Sequence, residues 1–440
     1  MRAPSRPHAI RLTLLAIVAL APAGASATWS IIITDSRTKE VAIGSATCLI
    51  GIDLVRYLPV VRPMEGAAAA QSYIDNDAAN RKRIWAELAV RNDPNNILML
   101  LEDQDAGHQT RQYGIVDTLG RAVTFTGSED GAFADGIVGS FGTMSYAIQG
   151  NVITGPWVIE EAEAAILNTP GGIPEKLMAA MEAARAVGGD GRCSCDAAAP
   201  DSCDPNHLLP DFKSAHVGFV ITARRGDPLG NCGRANGCAQ SAYYLRLNVA
   251  GSRPDDVDPV IQIREQFDLW RAGLVGITDA IESTLEISPS RLFNDGASTS
   301  KIAFQLRDWQ GNPPADVQLV EVIHAPEGSA GSSTIGPVVE LGDGAYEADV
   351  TVGTVAGLDR LAVRVTDSVG QRLLQLDAEL LVQDARADLN DDGIVDYADL
   401  ATLLASFGVS SGATAADGDM DGDGDVDLAD LSALLQSIAV

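Results

Sequence analysis

Two acidic stretches near the end of the chain repeat one spacing of oxygen-bearing side chains. The first reads Asp388-x-Asn390-x-Asp392-Gly393-Ile394-x-Asp396-x-x-Asp399. The second, 31 residues on, reads Asp419-x-Asp421-x-Asp423-Gly424-Asp425-x-Asp427-x-x-Asp430. In such a twelve-residue loop, side-chain oxygens at positions 1, 3, 5, 9 and 12 converge on one hard cation. Position 7, here Ile394 or Asp425, supplies a backbone carbonyl, and glycine at position 6 permits the sharp bend. Each loop runs into Asp-Leu-x-x-Leu-Leu, over Asp399 to Leu404 and Asp430 to Leu435. That spacing gives each short helix an apolar face, and the two faces can pack together. Residues 388–440 hold 12 Asp and no Lys or Arg, as a disordered acidic tail does. Duplication in register argues instead for a folded pair of loops that takes two calcium ions.

The other end of the chain reads as a signal peptide over residues 1–27. Arg2, Arg6 and Arg11 precede an apolar run from Leu12 to Ala21, and Ala25-x-Ala27 is the small-residue pattern of a cleavage site. Cleavage there leaves Thr28 first. An N-terminal Thr carries a hydroxyl and a free α-amine of pKa about 7.7–8.0, a base able to activate the hydroxyl without a histidine. The plainer alternative is that cleavage must leave some residue first. Without the leader the chain has 28 basic and 60 acidic side chains, a net charge near −32. Nucleic acid and anionic membrane surfaces are therefore poor partners. No later run has the length of a transmembrane helix. The expectation is a secreted, modular protein, whose 440 residues exceed one ordinary core.

From Thr28 to about Ala272 the pattern mixes strands and helices. Strands are expected over Trp29–Thr34, Val41–Thr47, Gln112–Asp117, Arg121–Thr126, Ser145–Gln149, His216–Ala223 and Ala242–Val249. Helices are expected over Asn76–Arg91, Asn95–Asp103, Trp157–Leu167 and Ile173–Val187. Strands at both ends with helices between them suggest layered sheets covered by helices. Thr28-Trp29-Ser30-Ile31 followed by Asp35, then Tyr113-Gly114-Ile115-Val116-Asp117, Phe125-Thr126-Gly127, Gln149-Gly150-Asn151, Gly188-Gly189-Asp190, Gln240-Ser241-Ala242 and Asp258-Pro259-Val260 come in order. This series resembles the bacterial family known as domain of unknown function 1028. The resemblance implies an N-terminal-nucleophile-hydrolase-like fold, a four-layer αββα domain over residues 28–272, with Thr28 at the nucleophile position. Asn151 would donate to an oxyanion, or stabilise its turn. Asp35 would orient the Thr28 amine, or bond its own turn. Asp190 would line the site, or simply follow a helix end.

Residues 191–239 read as an insertion rich in cysteine: Cys193, Cys195, Cys203, Cys232 and Cys238, with Cys48 far upstream. The spacings lack the paired pattern of a zinc ribbon. His207 and His216 keep metal open, but export favours disulfides. Most of these five are expected to pair within the insertion, with Cys48 either the odd partner or free and buried.

Over 285–384 short alternating runs are broken by Gly311-Asn312-Pro313-Pro314, Gly342-Asp343-Gly344 and Asp367-Ser368-Val369-Gly370. This indicates a β-sandwich, similar to the immunoglobulin-like spacers of exported bacterial proteins. The duplicated tail, 386–440, resembles a type I dockerin, a small all-α module. That implies two calcium ions and a cohesin-type partner, as in polysaccharide-degrading complexes. Loop positions 10 and 11, often Ser-Thr in cellulosomal dockerins, are Tyr397-Ala398 and Leu428-Ala429 here. The reading is thus a secreted amide-bond hydrolase docked through a calcium module. Its alternative is a catalytically silent scaffold that serves as a binding component of an extracellular complex.

Overall fold

The computed structural model describes residues 28–438, except 76, 196–198, 200–203, 207, 210, 327, 330 and 331. The expected signal peptide, Cys203, His207 and the expected helix start at Asn76 lie outside the described residues.

The N-terminal domain is built on β1 (Thr28–Asp35) and β2 (Val41–Thr47), whose every residue is buried. After α1 (Leu54–Tyr57) come β3 (Pro59–Arg62), β4 (Gly66–Ser72), α2 (Ala79–Ala89) and α3 (Pro94–Gln104). Then follow β5 (Arg111–Asp117), β6 (Ala122–Thr126), β7 (Ala134–Phe141), β8 (Met144–Asn151), α4 (Trp157–Asn168) and α5 (Ile173–Ala186). The domain ends with α6 (Gly191–Ser194), β9 (Val217–Ala223), β10 (Asn231–Gly233), β11 (Gly237–Gln240), β12 (Leu245–Val249) and α7 (Pro259–Ala272). One six-stranded sheet runs β12-β9-β2-β1-β8-β7, the other β10-β11-β3-β4-β5-β6.

Strand periodicity divides β1 between two cores. Trp29, Ile31 and Ile33 join the apolar residues of α4, α5 and α7. Ile32 faces the other way, with Val61, Ala67, Ala69 and Val116 of the second sheet. The second sheet is covered in turn by Ile84 and Leu88 of α2 and Ile97 and Leu101 of α3. The order is helix, sheet, sheet, helix. Close packing of α5 depends on Gly44, where a Cβ would lie 2.7 Å from the Met181 sulfur.

One expectation is corrected. The span 191–239 is only partly an insertion: β9 is integral, lying between β2 and β12, while β10 and β11 extend the second sheet. Of the two places expected for Cys48, it takes that of the odd partner. Cys193 reaches back to Cys48, Cys232 pairs with Cys238, Cys195 is also disulfide-bonded, and no described cysteine is free.

The middle domain is a sandwich of two five-stranded sheets. One holds β13 (Thr284–Ser288), β15 (Thr299–Gln305), β17 (Thr334–Ile335), β18 (Val339–Gly342) and β19 (Ala345–Thr351). The other holds β14 (Arg291–Phe293), β16 (Leu319–His324), β20 (Gly357–Asp367), β21 (Gly370–Leu373) and β22 (Ala378–Gln383). Alternate residues, among them Ile302, Phe304, Val363 and Val365, fill the space between the sheets. The tail folds as two loop-helix units, with α8 (Tyr397–Ser406) and α9 (Leu428–Ile438). Their core is Val395, Leu403, Val426 and Leu434, closed by Ala387 and Met420. The Gln383 amide donates to the carbonyls of Val395 and Ser437, which ties the tail to the end of the sandwich. Among the described residues no helix is long and apolar enough to cross a membrane.

Candidate active site and candidate metal loops

Thr28 opens β1, a strand flanked on both sides within its sheet, and pairs in register with Asn151 at the end of β8. On the other side Trp29 pairs with Ala46, so Thr47 and Cys48 follow at the same end. A polar layer lies between the two sheets here, where the apolar core would otherwise continue. Gln71 donates to the Thr28 carbonyl at 2.9 Å and to the Gln112 side chain at 2.7 Å, and accepts from the Ser30 hydroxyl. Gln112 donates to the Gly150 carbonyl and to the Thr126 hydroxyl, both at 2.9 Å. These bonds fix the backbone on either side of the Thr28–Asn151 pair.

The Asn151 amide donates to the Ser72 hydroxyl at 3.2 Å. Ser72 in turn hydrogen-bonds the carboxylate of Asp130, which is 1% exposed. Burial pushes the Asp130 carboxyl up to about 6, against the Ser72 hydroxyl and the Gly127 amide, which favour its ionised form. Ser72 at φ 69° and Val152 at φ 52° hold left-handed backbone beside Asn151. For a β-branched residue such as Val152 this is a strained geometry, of the kind that gathers at functional sites. Spacing gave no sign of Ser72 or Asp130. Gln71 and Ser72 end an Ala-rich stretch, and Asp130 is one acid of a Ser-Glu-Asp turn just after Phe125-Thr126-Gly127.

Asp190 is fully buried near this end of the sheet. It accepts from the Cys48 amide at 2.6 Å, the Arg192 amide at 3.0 Å and the Arg192 guanidinium at 2.8 Å. Arg192 also reaches the Thr47 hydroxyl at 3.4 Å, and the Cys48–Cys193 disulfide clamps this turn to the end of β2. The carboxylate of Asp190 is thus a brace that orients Arg192, with its oxygens engaged by donors. Asp35 is the corrected assignment. It ends β1, so seven strand steps of roughly 3.3 Å separate it from Thr28. Its carboxylate accepts from the amides of Arg37 and Thr38 and from the Thr143 hydroxyl. It holds a turn and cannot reach the Thr28 amine.

The two acidic loops close by nearly the same hydrogen bonds. Asp388 accepts from the amides of Asp392 and Gly393, and Asp419 from those of Gly422 and Gly424. Asp399 accepts from the amides of Leu389 and Asp396, and Asp430 from those of Met420 and Asp427. In the second loop, one oxygen each of Asp419, Asp421 and Asp430 lie within 4.8 Å of one another, as do those of Asp425, Asp427 and Asp430. Desolvation and the neighbouring Asp423, Asp427 and Asp430 push the Asp425 carboxyl up. One oxygen of Asp425 is buried with no hydrogen-bond partner. An all-oxygen, mutually repelling donor set of this kind fits a hard divalent cation.

Residues 28–199 match the family described as "Family of unknown function (DUF1028)", and residues 279–375 match "Invasin, domain 3". A solved protein of Silicibacter pomeroyi assigned to DUF1028 is 19% identical, with a TM-score of 0.38, covering 56% of this chain and 89% of that one. The Yersinia pseudotuberculosis adhesin InvE is 28% identical, with a TM-score of 0.22, covering 25% of this chain and 29% of InvE. InvD of the same organism is 28% identical, with a TM-score of 0.19, covering 23% of this chain and 27% of InvD. No curated protein matches. The chain thus carries a segment that matches the DUF1028 family model, followed by one that matches an invasin-type, immunoglobulin-like β domain.

Proposed function

We propose that the protein is exported, is cut after Ala27, and hydrolyses an amide bond with Thr28 as an N-terminal nucleophile. The observation that carries this reading is the pairing of Thr28 with Asn151 where a strained, polar layer replaces the apolar core. The Thr28 α-amine takes the hydroxyl proton as the oxygen attacks the substrate carbonyl. An amide donor such as that of Asn151, redirected from Ser72, steadies the negative oxygen. The amine then protonates the departing nitrogen, leaving an ester on Thr28. Water, deprotonated by the same amine, cleaves that ester and frees the acid.

The tail is the attachment module. Asp388, Asn390, Asp392, Asp396 and Asp399, with the Ile394 carbonyl, would hold one calcium ion. Asp419, Asp421, Asp423, Asp427 and Asp430, with Asp425, would hold the second. Calcium there neutralises a crowded set of carboxylates and orders the loops; it takes no part in the hydrolysis. A dockerin-type tail would engage a cohesin-type protein. Tyr397 and Leu428, 75% and 71% exposed at equivalent positions of the two repeats, are the side chains best presented to it.

The match of residues 279–375 to an invasin domain favours a second reading, a binding component displayed outside the cell. A screen of amide and ester libraries with intact-mass detection separates the two. Catalysis gives an acyl adduct on wild type that is missing from Thr28→Ala. A binding component gives none on either.

A further inference from the structure

The Cys48–Cys193 bridge lies against a third side chain that can ligate a soft metal. The Sγ atoms of Cys48 and Cys193 and one imidazole nitrogen of His216 all lie within 4.8 Å of one another. All three residues are partly exposed, so a reductant and a metal ion can both approach. The Nδ1 of His216 has no hydrogen-bond partner among the described residues.

The three residues are held together by more than the bridge. β2 and β9 pair antiparallel with Thr47 opposite Val217, and the His216 amide donates to the Thr47 carbonyl at 2.9 Å. Cys48 and His216 are one step further along that ladder, where facing residues point the same way. Cys193 is carried by α6, whose turn is fixed from Asp190. The Asp190 carbonyl accepts from the Cys193 amide at 3.1 Å, and its carboxylate accepts from the amides of Cys48 at 2.6 Å and Arg192 at 3.0 Å. Asp190 is itself bridged to Ile153. One buried residue thus holds the backbone of both cysteines, whose Cα atoms are 5.8 Å apart, and opening the S–S bond leaves these hydrogen bonds in place. Around a tetrahedral zinc, with Zn–S of about 2.3 Å, ligand atoms stand roughly 3–4 Å from one another. Small side-chain rotations therefore suffice to close the three donors on one ion.

We propose that Cys48, Cys193 and His216 form a zinc site when their disulfide is reduced, so that this end of the sheet alternates between a covalent bridge and a metal bridge. Two equivalents of an external thiol supply the electrons. The S–S bond breaks, the external thiols leave as their own disulfide, and each cysteine takes a proton. Zinc then displaces those two protons, and the imidazole binds neutral. Two thiolates cancel the charge of the ion and, as soft ligands, select it over calcium. The fourth position stays open, as in zinc sites that hold three protein ligands and a water. The proposal does not depend on the chemistry of Thr28.

The test is titration of the full chain with cobalt(II), a stand-in for zinc that gives a charge-transfer band with thiolates and none with carboxylates. The oxidised chain should give no such band. The chain reduced with a phosphine should give it, and added zinc should abolish it. Cys48→Ser together with Cys193→Ser measures what the other reduced cysteines contribute, and should lose one cobalt equivalent of the band. His216→Gln keeps both thiols. Loss of an outer-shell partner alone costs about 10–100-fold in metal affinity, so loss of this ligand should weaken the same ion by at least about tenfold. A band of equal strength in reduced wild type and the double variant overturns the proposal. So does an affinity that His216→Gln leaves unchanged, or a band from the oxidised chain.

Discussion

Asp130 is held in a site that disfavours its charge, and this gives the Thr28 end of the sheet a measurable pH signature. Its carboxyl is raised to about 6 in the folded protein, against about 3.9 in an unfolded chain. Between those values the folded state binds the extra proton, so this group's contribution falls as pH rises from about 4 to 6 and stays low above that. The shift corresponds to roughly 2–3 kcal/mol. Asp130→Asn should remove that fall. Denaturant titrations of the full chain at pH 5 and pH 8 should then differ less for the variant than for wild type by about 1–1.5 kcal/mol, the part of the fall that lies above pH 5. Parallel pH profiles would place the carboxyl in a solvated setting. Of the residues around this site, Thr28, Asn151 and Asp190 were legible because each stands in a motif with a fixed neighbour. Of the two readings of Asp35, the turn holds and the catalytic one fails, because sequence proximity to Thr28 becomes the full length of a strand once residues 28–35 extend. Ser72 and Asp130 reach the site only through the meeting of the two sheets, which no local spacing records.

The loop-helix units and the disulfide that clamps the site are the elements open to direct test. Calorimetry of the full chain with calcium should give two ions per molecule. Asp388→Ala together with Asp392→Ala should remove one and leave the second loop competent. A count of two in that variant would exclude the first loop as a site. The tail was legible because its pattern is written twice with the same helix start after each loop. The Cys48–Cys193 bridge closes a separation of 145 residues, for which the chain-entropy account gives about 5 kcal/mol. Replacing both by Ser should lower the unfolding free energy by roughly 2–5 kcal/mol; an unchanged denaturant midpoint would contradict the clamp. Strand β4 was unreadable for a different reason. Its Gly-Ala-Ala-Ala-Ala core has helix-favouring composition, and it becomes a strand because small side chains let it lie buried between its neighbours and β1. β1 and β2 were plain, since their apolar runs are bounded by a polar turn.

At the scale of the whole molecule, buried charge joins the first two domains. Arg224 lies 3.5 Å over the Tyr244 ring and bridges Glu40 of the N-terminal domain to Asp279, just before the sandwich. Desolvation pushes Glu40 up; at Asp279 desolvation is the largest single effect, yet Arg224, the Ile281 amide and the Tyr244 hydroxyl together outweigh it and hold the carboxyl at about 2. Arg224→Ala strands two buried carboxylates, a change that costs about 3–5 kcal/mol. It should split one cooperative thermal transition of the full chain into two; a single unchanged transition would mean that the seam carries no coupling. None of this network was legible, since its members come from three distant segments. The central claim, that Thr28 acts through its own amine, also rests on how the whole chain is processed. Intact mass and N-terminal sequencing of the exported protein test it most directly. The account predicts a chain that begins at Thr28 with a free amine. A mature protein that keeps even one residue before Thr28 would contradict it, because the amine would then be an amide and no longer a base.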